Sequence, residues 1–136
     1  MLANLIYSIA LLCFSDFMDN IELKINFDPP ELKQNIKNEF FIILNFSNTN
    51  NNLNFWCECD LLVKHPLSLA HDKMLDIGRT RVGIIEPKQN IEKRIKIYTR
   101  PNNYPGEYEL NLTAYLYDRE GIISERIDRK ETIICK

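Results

Sequence analysis

The sequence predicts an all-β fold: an antiparallel two-sheet sandwich of about seven strands behind a short apolar N-terminal segment. Three observations predict it. From Ile21 onward, apolar residues recur at every second position rather than every third or fourth. Clusters of Pro, Gly, Asn and Asp break this alternation at intervals of about 8–15 residues. The apolar set holds eighteen Ile against four Ala and two Val. β-Branched Ile and the aromatics favour strands, while scarce Ala removes the best helix former.

Residues 1–19 stand apart: they contain no Lys or Arg, and residues 2–14 are almost wholly apolar. That core is shorter than the roughly 20 residues that span a bilayer as a helix. Two readings compete. As a signal or anchor, it would end at Cys13-Phe14-Ser15, a small-x-small pattern with cleavage before Asp16. Against this, the positive leader is missing, and Leu12 before Cys13 is wrong for a lipoprotein site. As an amphipathic helix, Leu2, Leu5, Ile6, Ile9, Leu12, Cys13 and Phe17 share one stripe.

Residues 20–136 read as one β domain. Ile21, Leu23, Ile25 and Phe27 alternate with Glu22, Lys24, Asn26 and Asp28, a half-buried strand that Pro29-Pro30 stops. Residues 39–46 are apolar on both faces, which predicts a central, covered strand. After an Asn-rich turn, Leu53, Phe55, Cys57, Cys59, Leu61 and Val63 share one face, and Trp56 lies on the other. Residues 64–80 are irregular and suit a short helix or an edge strand. Strands follow at 79–85 and 90–99, split by Glu86-Pro87-Lys88-Gln89. Beyond the turn cluster at 101–106, residues 107–117 form a long strand with Tyr108, Leu110, Leu112, Ala114 and Leu116 inward. Asp118-Arg119-Glu120-Gly121 closes a hairpin into the last strand, 123–135.

The run Pro-Gly-Glu-Tyr-Glu-Leu-Asn-Leu-Thr-Ala-Tyr-Leu-Tyr-Asp at 105–118 resembles the penultimate strand of prokaryotic immunoglobulin-like modules of the CARDB and fibronectin type III-like kind. Asp28-Pro29-Pro30-Glu31-Leu32 and Phe40-Phe41-Ile42-Ile43-Leu44-Asn45-Phe46-Ser47-Asn48 resemble their first two strands. The likeness spans about residues 21–136 in turns and alternation. It implies an immunoglobulin-like sandwich in which Tyr108 is similar to the corner tyrosine, its hydroxyl tied to upstream backbone. The paired cysteines and tryptophan of antibody domains are not matched, because Trp56 points away from the Cys57/Cys59 face.

Seventeen Lys+Arg against nineteen Asp+Glu, a formal charge of −2, give no polyelectrolyte signature for nucleic acid. Four glycines and no G-x-G-x-x-G or P-loop argue against a phosphate-cradling enzyme. Cys57 and Cys59 on one strand face stand about 6.5–7 Å apart, too far to bridge each other. Cys135 would sit in their sheet with a strand between, so reduced core cysteines are expected, with Cys13 in the N-terminal segment. A disulfide or a metal role is the alternative, without any C-x-x-C knuckle. His65 and His71 near Asp72 could hold a metal or form a small hydrolytic site, but no H-E-x-x-H or G-x-S-x-G accompanies them. Asn45-Phe46-Ser47 and Asn111-Leu112-Thr113 fit the glycosylation pattern but fall inside strands.

The expected function is a non-catalytic structural or protein-interaction module without catalytic residues, cofactor or metal. Export or membrane tethering through residues 2–14 is expected over a cytoplasmic location. The expected partner is another protein or a cell-surface component. Trp56, Tyr115 and Tyr117 are the candidate anchors, since exposed aromatics dominate interfaces. The alternative is an intracellular accessory protein using its N-terminal helix and a basic stripe. Residues 79–100 carry seven Lys/Arg and two Glu, with Arg94, Lys96 and Tyr98 on one face, suited to an acidic protein or nucleic acid.

Overall fold

The computed structural model describes residues 20–136. The expected N-terminal helix or anchor and Cys13 lie outside the described residues. Among these residues, nine strands form two sheets. One has the order β1 (Ile21–Asp28), β3 (Glu39–Asn48), β7 (Asn90–Thr99), β5 (Leu67–Ser68). The other has the order β2 (Glu31–Leu32), β9 (Ile123–Cys135), β8 (Gly106–Tyr117), β4 (Phe55–Val63), β6 (Ile77–Ile85).

The described residues form nine strands rather than the expected seven or so, because β2 and β5 span two residues each, below what alternation can register. The five-stranded sheet is also mixed, since β2 runs parallel to β9, pairing Glu31 with Ile134 and Leu32 with Cys135. Pro29-Pro30 does stop β1, but the chain then crosses to the other sheet instead of leaving the fold. The irregular segment 64–80 holds the edge strand β5 and the start of β6, and no helix.

The core lies between the sheets. Phe40, Ile42, Leu44 and Phe46 of β3 face Phe55, Cys57, Cys59 and Leu61 of β4 and Leu110, Leu112, Ala114 and Leu116 of β8, all at most 2 % exposed. Each of these fully buried Leu, Ile and Phe side chains contributes about 1.5–3 kcal/mol. β3 is central, as expected, but its outer face is only half-buried.

Cys57, Cys59 and Cys135 are reduced and buried. β8 separates Cys135 from the other two, which keeps them from bridging. A hydrogen bond with Cys59, reinforced by burial, raises the Cys57 thiol well above its usual range, so it stays protonated. The Tyr108 hydroxyl donates to the Tyr104 carbonyl and ties the start of β8 to the preceding turn. Asn45 and Asn111 both lie within strands.

Candidate interaction surface

The outer face of the five-stranded sheet is built in rows of cross-strand neighbours. Trp56 of β4 pairs with Ile84 of β6 on one side and Tyr117 of β8 on the other, and Tyr117 pairs with Ile123 of β9. Two isoleucines and two aromatics therefore run side by side across four strands. At the usual spacing that row is about 14 Å wide. Ile84 is 55 % and Ile123 52 % exposed, while Trp56 and Tyr117 are half-buried.

Both isoleucines reach this row through breaks in register. On β6 the register shifts opposite Cys57/Glu58, so Arg81 faces Glu58 while Gly83 faces Cys57. With unbroken pairing, Gly83 would stand opposite Trp56. The extra residue turns Ile84 outward and Ile85 into the core, where Ile85 is fully buried. On β9 the shift lies at Leu116/Tyr117, with Leu116 facing Glu125 and Tyr117 facing Ile123. Unbroken pairing would put Ser124 there. Gly83 takes φ of 114°, a conformation that a side chain resists.

Loops frame the row at one end. A hollow of about 420 Å³ lies between residues 52–55 and Asp118, Arg119, Glu120 and Ser124. It adjoins two others, of about 230 Å³ against Trp56 and Ile84 and about 370 Å³ against Trp56, Glu58 and Tyr117. Asp118 and Arg119 line all three. The hairpin bearing them is fixed locally. Asp118 Oδ1 accepts from the backbone N–H groups of Glu120 and Ile122 at 2.9 and 3.0 Å. The facing loop is held by buried Asn48, whose Nδ2 donates to the carbonyls of Leu53, Ile85 and Glu86 at 2.7, 3.2 and 3.1 Å.

The next two rows inward, one through Glu58 and Tyr115 and one through Arg79 and Asp60, differ in chemistry. Arg79 donates from Nε and Nη2 to both oxygens of Asp60, at 2.7 and 2.9 Å. These hydrogen bonds hold the Asp60 carboxyl below the usual carboxylate range. Tyr115 lies between two guanidinium groups, Arg79 at 5.6 Å and Arg126 at 5.8 Å from its ring centre. Tyr115 thus shares the face with Trp56 and Tyr117 but is engaged by its own sheet.

Arg94, Lys96 and Tyr98 lie together on the outer face of the other sheet. Arg94 pairs with Asp28 and Lys96 with Glu39, each at 3.2 Å. Both cations stack on Phe41, at 5.2 and 5.8 Å. The His71 ring lies 6.0 Å from that of Tyr98, and its Nδ1 is 4.0 Å from Asp72. No cluster of three metal-ligating side chains occurs among the described residues.

Trp56 and Tyr117, two of the anchors expected from the sequence, lie in this row, and the structure sets Ile84, Ile123 and Arg119 beside them. Gly83 was the one available signal for the β6 irregularity, because an isolated glycine in a strand often marks a bulge.

No family model matches the chain, and no curated protein does. Solved structures do resemble it. A protein solved as a target of the Northeast Structural Genomics Consortium has a TM-score of 0.50 and 11 % identity, over 85 % of this chain and 86 % of that one. The Bordetella pertussis protein described as ApaA has a TM-score of 0.46 and 10 % identity, over 83 % and 89 %. Pseudomonas fluorescens alkylpurine DNA glycosylase AlkC, bound to DNA containing an abasic site analog, has 0.45 and 7 %, over 86 % of this chain and 30 % of that one. The first of these similarities shows the fold alone: the chain has an all-β, two-sheet, sandwich-like architecture that it shares with a structural-genomics protein.

Proposed function

We propose that the chain is a non-catalytic, immunoglobulin-like interaction module that binds a protein or cell-surface partner through the Ile84–Trp56–Tyr117–Ile123 row. The immunoglobulin-like assignment draws support from strand order. Strands β1-β3-β7 and β2-β9-β8-β4 match the A-B-E and A′-G-F-C rows of such a sandwich, while β5 beside β7 and β6 beside β4 occupy the D and C′ positions in the reverse of the usual chain order. The Tyr108 hydroxyl bonded to the Tyr104 carbonyl has the form of a tyrosine corner. The observation that carries the binding surface is the pair of register shifts. Each replaces a small residue, Gly83 or Ser124, with an isoleucine beside the aromatic pair. Bulges that re-aim side chains are concentrated at functional sites. An apolar centre with a polar rim at Asp118, Arg119 and Glu58 is interface anatomy.

The test uses the full chain, immobilised and exposed to extract and surface fractions of its source cells. Trp56→Ala and Ile84→Asp should each lower retention of a bound partner by about tenfold or more. Retention indifferent to both variants would reject this surface. A partner lost on Arg94→Gln or Lys96→Gln, and released by salt, would instead support the basic face and an acidic partner. Trp56 is the single tryptophan, so its emission should shift blue as the partner covers it. Export or tethering through residues 1–19 is part of the proposal. Intact mass and cell fraction of the native protein test it, and an uncut cytoplasmic chain would overturn that part.

A further inference from the structure

We infer that the β1 edge is a self-association surface, on which a second copy of this chain adds its own β1 antiparallel and in register about Leu23. β1 is the outermost strand of the four-stranded sheet, and its pairing with β3 is unbroken over all eight residues. Exposed strand edges recruit other strands unless something blocks them. Every other edge among the described residues carries such a block. β2 and β5 are two residues long. β6 is broken by its bulge opposite Cys57/Glu58. The open part of β9 turns Glu125, Arg129 and Glu131 inward, opposite buried Leu116, Leu112 and Leu110. The open part of β7 turns Lys93 inward, opposite buried Leu44. β1 has only Ile21, Leu23, Ile25 and Phe27 on its inner face.

Hydrogen-bond parity identifies the groups on offer. The Thr49 N–H donates to the Asn20 carbonyl at 2.9 Å, so Asn20 directs its backbone toward β3. Antiparallel ladders alternate, hence Glu22, Lys24, Asn26 and Asp28 also face β3, while Ile21, Leu23, Ile25 and Phe27 present N–H and C=O groups to the open edge. A copy centred on Leu23 pairs Leu23 with Leu23 and Ile21 with Ile25, exchanging two backbone hydrogen bonds per pair.

The outer-face charges select this register. Glu22 and Lys24 are exposed and have no ion-pair partner among the described residues. Centring on Leu23 sets Glu22 against Lys24 twice, at the closely spaced positions where side chains meet. Centring on Lys24 opposes Lys24 to itself, and centring on Ile25 opposes Glu22 to Asp28. Centring on Asn26 requires Asp28, which Arg94 already holds at 3.2 Å. The two edge charges are therefore self-complementary, and the partner they fit is a second copy.

Sedimentation equilibrium of the full 136-residue chain tests this. A dimer is expected. Lys24→Glu and Glu22→Lys should each weaken it by about tenfold, because each converts two attractive pairs into two repulsive ones. The exchange Glu22→Lys with Lys24→Glu should restore it to within about threefold. Thermal unfolding of the variants at low concentration, where the chain is monomeric, reports whether the fold itself is intact. A monomer at every concentration overturns the inference. So does a dimer indifferent to the single reversals, or one that the exchange fails to rescue.

Discussion

The two outer faces of the molecule are assembled from the same residue types, yet differ in what remains unengaged. On the four-stranded sheet, Arg94 and Lys96 each meet a carboxylate and stack on Phe41. On the five-stranded sheet, the rows through Tyr115 and through Asp60 behave alike, with guanidinium groups over the ring and Asp60 holding Arg79. The adjacent row through Trp56 and Tyr117 has isoleucines as neighbours instead. An aromatic in a strand therefore says little about availability for a partner. The cross-strand neighbours decide, and bulges choose those neighbours.

The strongest way to break that contrast is to release the loop framing the apolar row. Asn48 is 2 % exposed; its amide bonds three carbonyls, and its Oδ1 accepts from the Asn50 N–H at 3.0 Å. Asn48→Ala leaves the buried Ile85 carbonyl and two part-buried carbonyls without their donor and should cost about 3 kcal/mol. Urea unfolding would read this as a lower midpoint at constant slope. A loss below about 0.5 kcal/mol would mean that water replaces the amide and the loop stands without it.

A smaller effect is expected where the contrast is generated, at the β6 bulge. A methyl group on Gly83 would meet nothing within 4 Å, so any cost of Gly83→Ala is conformational, set by φ of 114°. About 1–2 kcal/mol is expected. At Gly78, in the regular part of β6, an added Cβ would lie 3.0 Å from Leu69 Cδ1, the flexible end of a side chain. Thermal unfolding of both variants separates backbone strain from crowding. Equal losses would remove the special status given to the bulge.

Much of this fold was legible because most strands are half-buried and alternate. β7 and β9 match the alternation at both ends, and the inward set of β8, led by Tyr108, could be read directly. β2 and β5 were not legible, since two residues define no period and their pairing depends on chain that lies far away. The candidate surface was half legible. Trp56 and Tyr117 fall outward by counting from Cys57 and Leu116. Ile84 and Ile123 could not be placed, because one extra residue reverses every face beyond it. Nor does alternation reveal that Asp28 and Glu39 neutralise the basic stripe, which depends on β3 lying beside both β1 and β7.

The engaged face can be dissected by a double-mutant cycle. Phe41→Ala removes the ring under Arg94 and Lys96, and Arg94→Gln removes one of its cations. A coupling of about 0.5–1 kcal/mol is expected for a surface pair of this kind. High salt should reduce the Arg94–Asp28 contribution and leave the Phe41 packing largely in place. Zero coupling would imply that the cations are held by Asp28 and Glu39 alone. The face would then be freer to exchange partners than its geometry suggests.

The smallest effect is electrostatic and sits at the Asp60–Arg79 pair, two rows from Trp56 on the same sheet face. The hydrogen bonds from Arg79 depress the Asp60 carboxyl below its unfolded value, which is about 3.9. The unfolded chain therefore takes up the proton first as pH falls. The pair's contribution is fully present above the unfolded value and disappears as pH drops through the lower folded value. Asp60→Asn should lower the melting temperature slightly at neutral pH, with the gap to the parent closing at the acid end. Because Arg79 is largely exposed, solvent screening keeps the gap small. A gap that persists unchanged in acid would trace the effect to hydrogen-bond geometry, which the asparagine alters at every pH. A gap that closes would show that charge holds Arg79 over Tyr115, and so separates the engaged rows from the apolar one on the same face.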